Sequence, residues 1–271
     1  MEKAITYNGG MVMYADNGKG NTIVLLHGYL ESQEIWFNFA EKLIKAGHRV
    51  ITLDLPGHGF SSTVGEEHSM EHLAGAVDAV LQEQKVDKCM VVGHSMGGYV
   101  ALAFAKLFPE KLAGLCLFHS TPNPDSDEKR NNRDREIELV KAGKKEVIIK
   151  SFIPAAFAKE NLKRCADMVE EATLIALSTE TDGIIACLNG MKNRPDSNDF
   201  LKTVTKPVLI IFGAKDSYVT PEIIASLTER FPTHKTITLE NSGHMGFVEE
   251  EKRSVEIISE FAAQAFGGLA V

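Results

Sequence analysis

Short apolar runs recur along the chain and are separated by stretches whose apolar residues repeat every three to four positions. Most of the runs are continuously apolar, which is typical of strands that are covered on both faces. The runs are Thr22–Leu26, Val50–Leu53, Cys89–Val92, Leu115–Phe118, Val208–Phe212 and Thr236–Leu239. The helical stretches are Ile35–Ala46, Ser69–Gln84, Gly98–Phe108, Pro221–Phe231 and Lys252–Ala265. This alternation predicts an α/β fold with a mostly parallel central sheet and helices on both faces.

Two segments depart from the alternation. Ala4–Tyr14 is interrupted at Gly9 and Gly10, which predicts an antiparallel hairpin at the sheet edge. Residues 121–203 contain helical patterns with no strand between them, among them the amphipathic repeat from Leu162 to Ala176. We therefore expect a core formed by residues 1–120 and 204–271, and a helical lid (cap) inserted at residues 121–203.

Composition narrows the functional classes. The 271 residues are 44% apolar and 24% charged, with a net charge of −8, so a nucleic acid or an anionic membrane is not expected as a partner. The N-terminus lacks a secretory apolar region, which predicts a cytoplasmic protein. The four cysteines lack C-x-x-C spacing, and no histidine trio has the spacing of metal ligands, so we expect reduced thiols and no metal.

The strongest local signal is Gly93-His94-Ser95-Met96-Gly97, which lies directly between an apolar run and a helical stretch. A sharp strand-to-helix turn holds its apical serine in a strained conformation, clear of the sheet, and needs glycines on either side. Ser95 is therefore the predicted nucleophile. The helix N-terminus behind it suits developing negative charge, and the N–H of Met96 is one candidate oxyanion donor.

A serine nucleophile needs a base and a group that orients the base. His244, in the loop after the last apolar run, is the predicted base, and Asp216 is the predicted acid. The second oxyanion donor is expected from the loop after the first buried strand, most plausibly the N–H of Tyr29.

At this point the chain resembles the α/β-hydrolase superfamily, and in particular its lid-bearing, serine-esterase-like members. The resemblance spans nearly the whole chain and rests on His27-Gly28, on residues 54–61 (DLPGHGFS), on residues 93–98 (GHSMGG), on residues 213–216 (GAKD) and on Gly243-His244. It implies that residues 54–61 form a structural turn. It also leaves Asp125 as the alternative acid, since some family members place the acid one strand earlier. Relatives that hydrolyse epoxides or halides have an aspartate at the elbow, so Ser95 argues against both of those chemistries.

Three other histidines, His27, His58 and His94, are expected to have structural roles. His27 and His58 flank turn glycines, and His94 is expected to pack or hydrogen-bond inside the elbow. His119, at the end of a strand, is a candidate substrate-binding residue. His68, His72 and His234 are expected to be solvated.

The sequence therefore predicts a serine hydrolase that cleaves a small acyl substrate, most simply a carboxylic ester, without a cofactor. Thioester, lactone, peracid and carbon–carbon bond cleavage stay open, because they share the same triad. From another class, a ligand-sensing or partner-binding protein that retains the triad and turns over slowly is the alternative. The oligomeric state is not predicted.

Overall fold

The computed structural model describes residues 2–267, and its centre is an eight-stranded sheet. The strands are β1 (Glu2–Tyr7), β2 (Gly10–Gly18), β3 (Thr22–Leu26), β4 (Arg49–Leu53), β5 (Cys89–His94), β6 (Leu112–Phe118), β7 (Val208–Gly213) and β8 (Lys235–Leu239). Their order across the sheet is β1-β2-β4-β3-β5-β6-β7-β8. Only the pairs that involve β2 are antiparallel, so the expected edge hairpin and the mostly parallel sheet are confirmed.

Eleven helices accompany the strands in this part of the chain. They are α1 (Phe37–Lys45), α2 (Met70–Glu83), α3 (Met96–Leu107), α4 (Asp127–Lys141), α5 (Lys145–Ala156), α6 (Ala166–Ser178), α7 (Thr181–Asn193), α8 (Asn198–Thr203), α9 (Pro221–Arg230), α10 (Gly246–Glu249) and α11 (Glu251–Ala265). None of the helices within residues 2–267 combines the length and apolar character needed to cross a bilayer.

The core lies around four neighbouring strands inside the sheet. Every residue of β3, β5, β6 and β7 is buried, because helices cover the sheet: α2 packs against α3, and α1 packs against α11. Local signals set the helix starts. The Ser69 hydroxyl accepts the N–H of His72 and caps α2, while the Ser126 hydroxyl accepts the N–H of Lys129 and caps α4.

Five helices, α4 to α8, connect β6 to β7 without an intervening strand. They pack in pairs, α4 against α7 and α5 against α6. The topology places the start of this inserted segment at the carboxyl end of β6. At the same edge, the strand order reverses next to β3, since β4 lies on one side of β3 and β5 on the other. Open α/β sheets bind ligands at such a reversal.

Candidate active site

Ser95 occupies the turn between β5 and α3 in a strained backbone conformation. Its φ is 50° and its ψ is −114°, a region that non-glycine residues rarely adopt. Two contacts hold it there: the Ser95 N–H donates to the Phe118 carbonyl at 3.0 Å, and the Ser120 hydroxyl donates to the Ser95 carbonyl at 2.7 Å. The surrounding fold therefore enforces the conformation that the elbow motif predicted.

The two elbow glycines are needed because backbone passes close to both. A Cβ on Gly93 would lie 2.2 Å from the Gly97 carbonyl oxygen, and a Cβ on Gly97 would lie 2.3 Å from the Leu26 carbonyl oxygen. The second contact brings the elbow against the end of β3. The segment that carries Met96 therefore packs against the strand that leads to Tyr29, the other predicted oxyanion donor.

His244 and Asp216 come together at the carboxyl ends of β8 and β7. The His244 Nδ1–H donates to Asp216 Oδ2 at 2.7 Å, and both side chains are buried. The other carboxylate oxygen, Oδ1, accepts the N–H groups of Tyr218 at 2.7 Å and Val219 at 3.0 Å. Because Nδ1 carries the proton toward the carboxylate, Nε2 of His244 is the nitrogen left to accept a proton.

Asp216 is held as a carboxylate. Burial opposes its ionisation, but the charge of His244 and hydrogen bonds from the rings of His119 and His244 outweigh that effect, and the pKa of the carboxyl lies well below its usual range. Asp125, the alternative acid, instead pairs with the guanidinium groups of Arg133 and Arg194. The structure therefore brings Asp216 to His244, and it gives Asp125 two arginine partners.

His119 contacts Asp216 as well as the cavity. Its Nδ1–H donates to Asp216 Oδ2 at 3.2 Å, and its Nε2 accepts the Gly246 N–H at 3.2 Å. Ligand-type atoms of His119, Asp216 and His244 all lie within 4.8 Å of one another, a spacing that could hold a metal ion. Since one carboxylate oxygen already accepts from both rings, we assign the cluster to hydrogen bonding.

A buried ion pair supports the loop after β3, which carries the predicted oxyanion donor Tyr29. Glu31 Oε2 accepts the N–H of Gly28 and the Nδ1–H of His94. His94 Nε2–H donates to the His244 carbonyl at 2.9 Å, so both ring nitrogens face acceptors and the ring is an imidazolium. Burial disfavours both charges, but their attraction outweighs it: the pKa of His94 is raised and that of Glu31 is lowered. The sequence carried no signal for Glu31.

Glu249 holds the loop of the predicted base. Its Oε2 accepts the N–H groups of Gly243 and Met245, which flank His244, at 2.7 and 3.3 Å. Its Oε1 accepts the N–H of Ala158 and the side-chain amide of Asn161, each at 2.8 Å. One buried carboxylate thus links this loop to the inserted segment. Its role depends on contacts across some ninety positions, so a local pattern could not have indicated it.

A cavity of about 450 Å³ lies over these groups. Ser95, His119 and His244 form its floor together with Tyr29. The wall includes residues from α4, α5 and α7 of the inserted segment, namely Lys129, Asn132, Arg133, Glu136, Phe152 and Met191.

The polar groups of the cavity are partly paired with one another. The Tyr29 hydroxyl donates to Glu136 at 2.8 Å, and burial raises the pKa of that carboxyl. Within residues 2–267, no hydrogen bond joins the Ser95 hydroxyl to His244; the two groups share the cavity.

Comparisons with known proteins agree with this architecture. Residues 21–147 match the family model described as the alpha/beta hydrolase fold. The chain is 30% identical over 254 residues to the pimeloyl-[acyl-carrier protein] methyl ester esterase of Aeromonas hydrophila, covering 90% of this chain and 96% of that protein. It is 27% identical over 273 residues to a 2-hydroxy-6-oxononadienedioate/2-hydroxy-6-oxononatrienedioate hydrolase of Paraburkholderia phymatum, covering 93% and 91%.

Among solved structures, a thermophilic esterase from Thermogutta terrifontis, with malate bound, superposes with a TM-score of 0.92 at 28% identity, covering 98% of this chain and 99% of that one. The enol-lactonase of Burkholderia xenovorans shares the fold, with a TM-score of 0.88 at 19% identity over 96% of this chain and 99% of that one. The chain belongs to the α/β-hydrolase superfamily, and within it resembles the esterase-like members. It is a hydrolase of that fold.

Proposed function

We propose that this hydrolase cleaves a small carboxylic ester through an acyl-enzyme, with Ser95 as nucleophile, His244 as general base and Asp216 as the orienting acid. The observation that carries the proposal is the 2.7 Å hydrogen bond from His244 Nδ1 to Asp216, beside a cavity that Ser95 also lines. That bond leaves Nε2 of His244 as the proton acceptor. The strained Ser95 backbone supplies independent support, because such strain persists where it serves a site.

The proposed mechanism has two half-reactions. Ser95 Oγ attacks the ester carbonyl while His244 Nε2 takes the hydroxyl proton, and the N–H groups of Met96 and Tyr29 stabilise the oxyanion. His244 then gives the proton to the departing alcohol. In the second half-reaction it takes a proton from water, whose oxygen attacks the acyl-enzyme and releases the acid. Ser95 recovers its proton, so the cycle needs no cofactor.

The cavity supports a small substrate with a polar part. Its volume falls in the range of small-molecule sites, and α4 contributes Lys129, Asn132, Arg133 and Glu136 to the wall. Two relatives act, by their names, on a methyl ester and on a diacid. We further propose that residues 121–203 act as the lid, since three of their helices help to enclose the cavity.

Turnover of a short-chain chromogenic ester tests the proposal. Wild-type protein should complete many cycles, and Ser95→Ala should lose at least a thousandfold in kcat/KM, since it lacks the nucleophile. Ser151→Ala, an exposed serine on α5, is the matched control and should keep wild-type activity. A single stoichiometric burst, with thermal stabilisation by the ester, would instead favour a sensing protein. Ser95→Ala turning over like wild type would refute the proposed nucleophile.

A substrate panel tests the kind of bond. Esters, thioesters, a lactone and a carbon–carbon bond substrate, all with matched acyl groups, should be compared by kcat/KM. The proposal expects the esters to give the highest values. A higher value for the carbon–carbon substrate would replace ester hydrolysis with carbon–carbon bond cleavage as the proposed reaction.

A further inference from the structure

Two imidazole rings share one carboxylate oxygen in this site. Asp216 Oδ2 accepts the Nδ1–H of His244 at 2.7 Å and the Nδ1–H of His119 at 3.2 Å. The side chains of Asp216 and His119 have no exposure to solvent. A triad needs only the first of these hydrogen bonds. The second is a donor that the proposed mechanism does not use.

The protonation state of His119 follows from its two partners. A carboxylate only accepts, so Nδ1 carries the hydrogen, and the Gly246 N–H donates to Nε2, which must therefore be bare. His119 is thus a neutral donor. Its burial, which lowers its pKa to about 4, agrees with this state.

We propose that His119 is a positioning residue that moderates how strongly Asp216 holds the proton of His244. The inference rests on the proposed triad. Every hydrogen bond to Oδ2 stabilises the negative charge on that oxygen, so less of the charge remains to stabilise an imidazolium at His244. Without the His119 donor, Asp216 should accept the Nδ1–H of His244 more strongly, and the acid limb of the pH–rate profile should lie at higher pH.

Other titratable groups face the same cluster. The His94 ring centroid lies 4.9 Å from that of His244 and 6.1 Å from that of His119, and Glu31 pairs with His94. The Tyr218 ring lies 5.0 Å from the His244 ring. Substitutions at position 119 leave all these groups in place, so a change can be assigned to the donor.

Two variants separate the effect of the hydrogen bond from His119 to Asp216 from the effect of packing at position 119. His119→Phe keeps a ring stacked on Phe118 and removes both nitrogens. His119→Asn places an amide N–H near the position of Nδ1 and suits the φ of 50° at this residue. Both variants lose the acceptor for the Gly246 N–H, so the loss of that contact is matched. Any difference between the pH profiles of the two variants therefore reports the hydrogen bond to Asp216.

The measurement is the pH profile of kcat/KM on a chromogenic ester, after circular dichroism and thermal melts have established folding. The acid limb of His119→Phe should move to higher pH by about half a unit to one unit, while that of His119→Asn should stay close to wild type. An unmoved limb in folded His119→Phe overturns the proposal, as do equal shifts in both variants.

Proton NMR provides a readout that does not require turnover. The N–H between His244 and Asp216 should resonate further downfield in His119→Phe than in wild type, because the carboxylate accepts it more strongly, and should be restored in His119→Asn. If Ser95→Ala hydrolysed the ester normally, the proposed function would fail while this arm would still report on His119. An unchanged resonance in His119→Phe contradicts the inference alone.

Discussion

Replacing Asp216 by asparagine tests the proposed site most directly. The backbone N–H groups of Tyr218 and Val219 require an oxygen at the Oδ1 position. The asparagine amide must therefore direct its NH₂ group to the Oδ2 position, where it meets the Nδ1 atoms of His244 and His119. A donor then faces two donors. His244 can satisfy the amide only by moving its own proton to Nε2, and in that tautomer it cannot accept the Ser95 proton.

The expected loss in kcat is about 10⁴-fold, the size of the corresponding effect in the serine-protease template. This corresponds to about 5.4 kcal/mol of transition-state free energy. Burst titration of the active sites, followed by steady-state kinetics on the same ester, separates a slow enzyme from a smaller active fraction.

Asp125→Asn is the matched control because it changes a second buried carboxylate in the same way. It removes one partner from Arg133 and Arg194, so it should lower the free energy of unfolding by about 3 kcal/mol while largely preserving kcat in the folded fraction. Asp216→Asn with more than a tenth of wild-type kcat, together with an inactive but folded Asp125→Asn, would move the acid to Asp125.

Three further changes test the supports of the site. Gly97→Ala should give little folded protein by circular dichroism, because its Cβ would meet the Leu26 carbonyl at 2.3 Å; wild-type expression and melting would contradict this packing argument. Glu249→Gln should lower kcat about tenfold or more and reduce the melting temperature, because the glutamine amide has one accepting oxygen and its NH₂ group would face N–H donors; unchanged kinetics would refute its role in the loop that carries His244. Glu31→Gln should reduce the melting temperature most between about pH 4.3 and 6.5. The lowered pKa of Glu31 stabilises the fold above the first value and the raised pKa of His94 stabilises it below the second, so a constant difference from pH 4 to 9 would refute the pairing.

The sequence predicted most of the sheet and of the elbow because both depend on local properties. Short runs, most of them continuously apolar, mark β3 to β8 in the order in which they occur, with ends displaced by a few residues at most. The elbow needs two glycines around one serine, and residues 93–97 contain all three within five consecutive positions. The predicted helix from Ile35 begins differently: a short 3₁₀ turn, Gln33–Trp36, precedes α1.

Contacts between distant segments were harder to predict. The expectation that His68 is solvated is wrong: its side chain is buried, with Nδ1 bonded to the Pro56 carbonyl and Nε2 accepting the Val64 N–H. A histidine in a polar stretch resembles a surface residue. It is buried here because its loop packs both onto the turn at residues 54–61 and onto α7, where Cys187 contacts its ring. The burial of Glu31 and Glu249 could not be predicted for the same reason, because isolated glutamates are usually exposed.

The link between the loop that carries His244 and the inserted helices has a consequence for engineering and for divergence within the superfamily. The His244 N–H donates to the Ala156 carbonyl at 2.6 Å, in addition to the bridge made by Glu249. A chimera that exchanges residues 121–203 for those of a relative would therefore change the contacts that position His244, the proposed general base, as well as the wall of the cavity. Substrate range and catalytic activity should change together in such grafts, unless the residues on both sides of these hydrogen bonds are exchanged together.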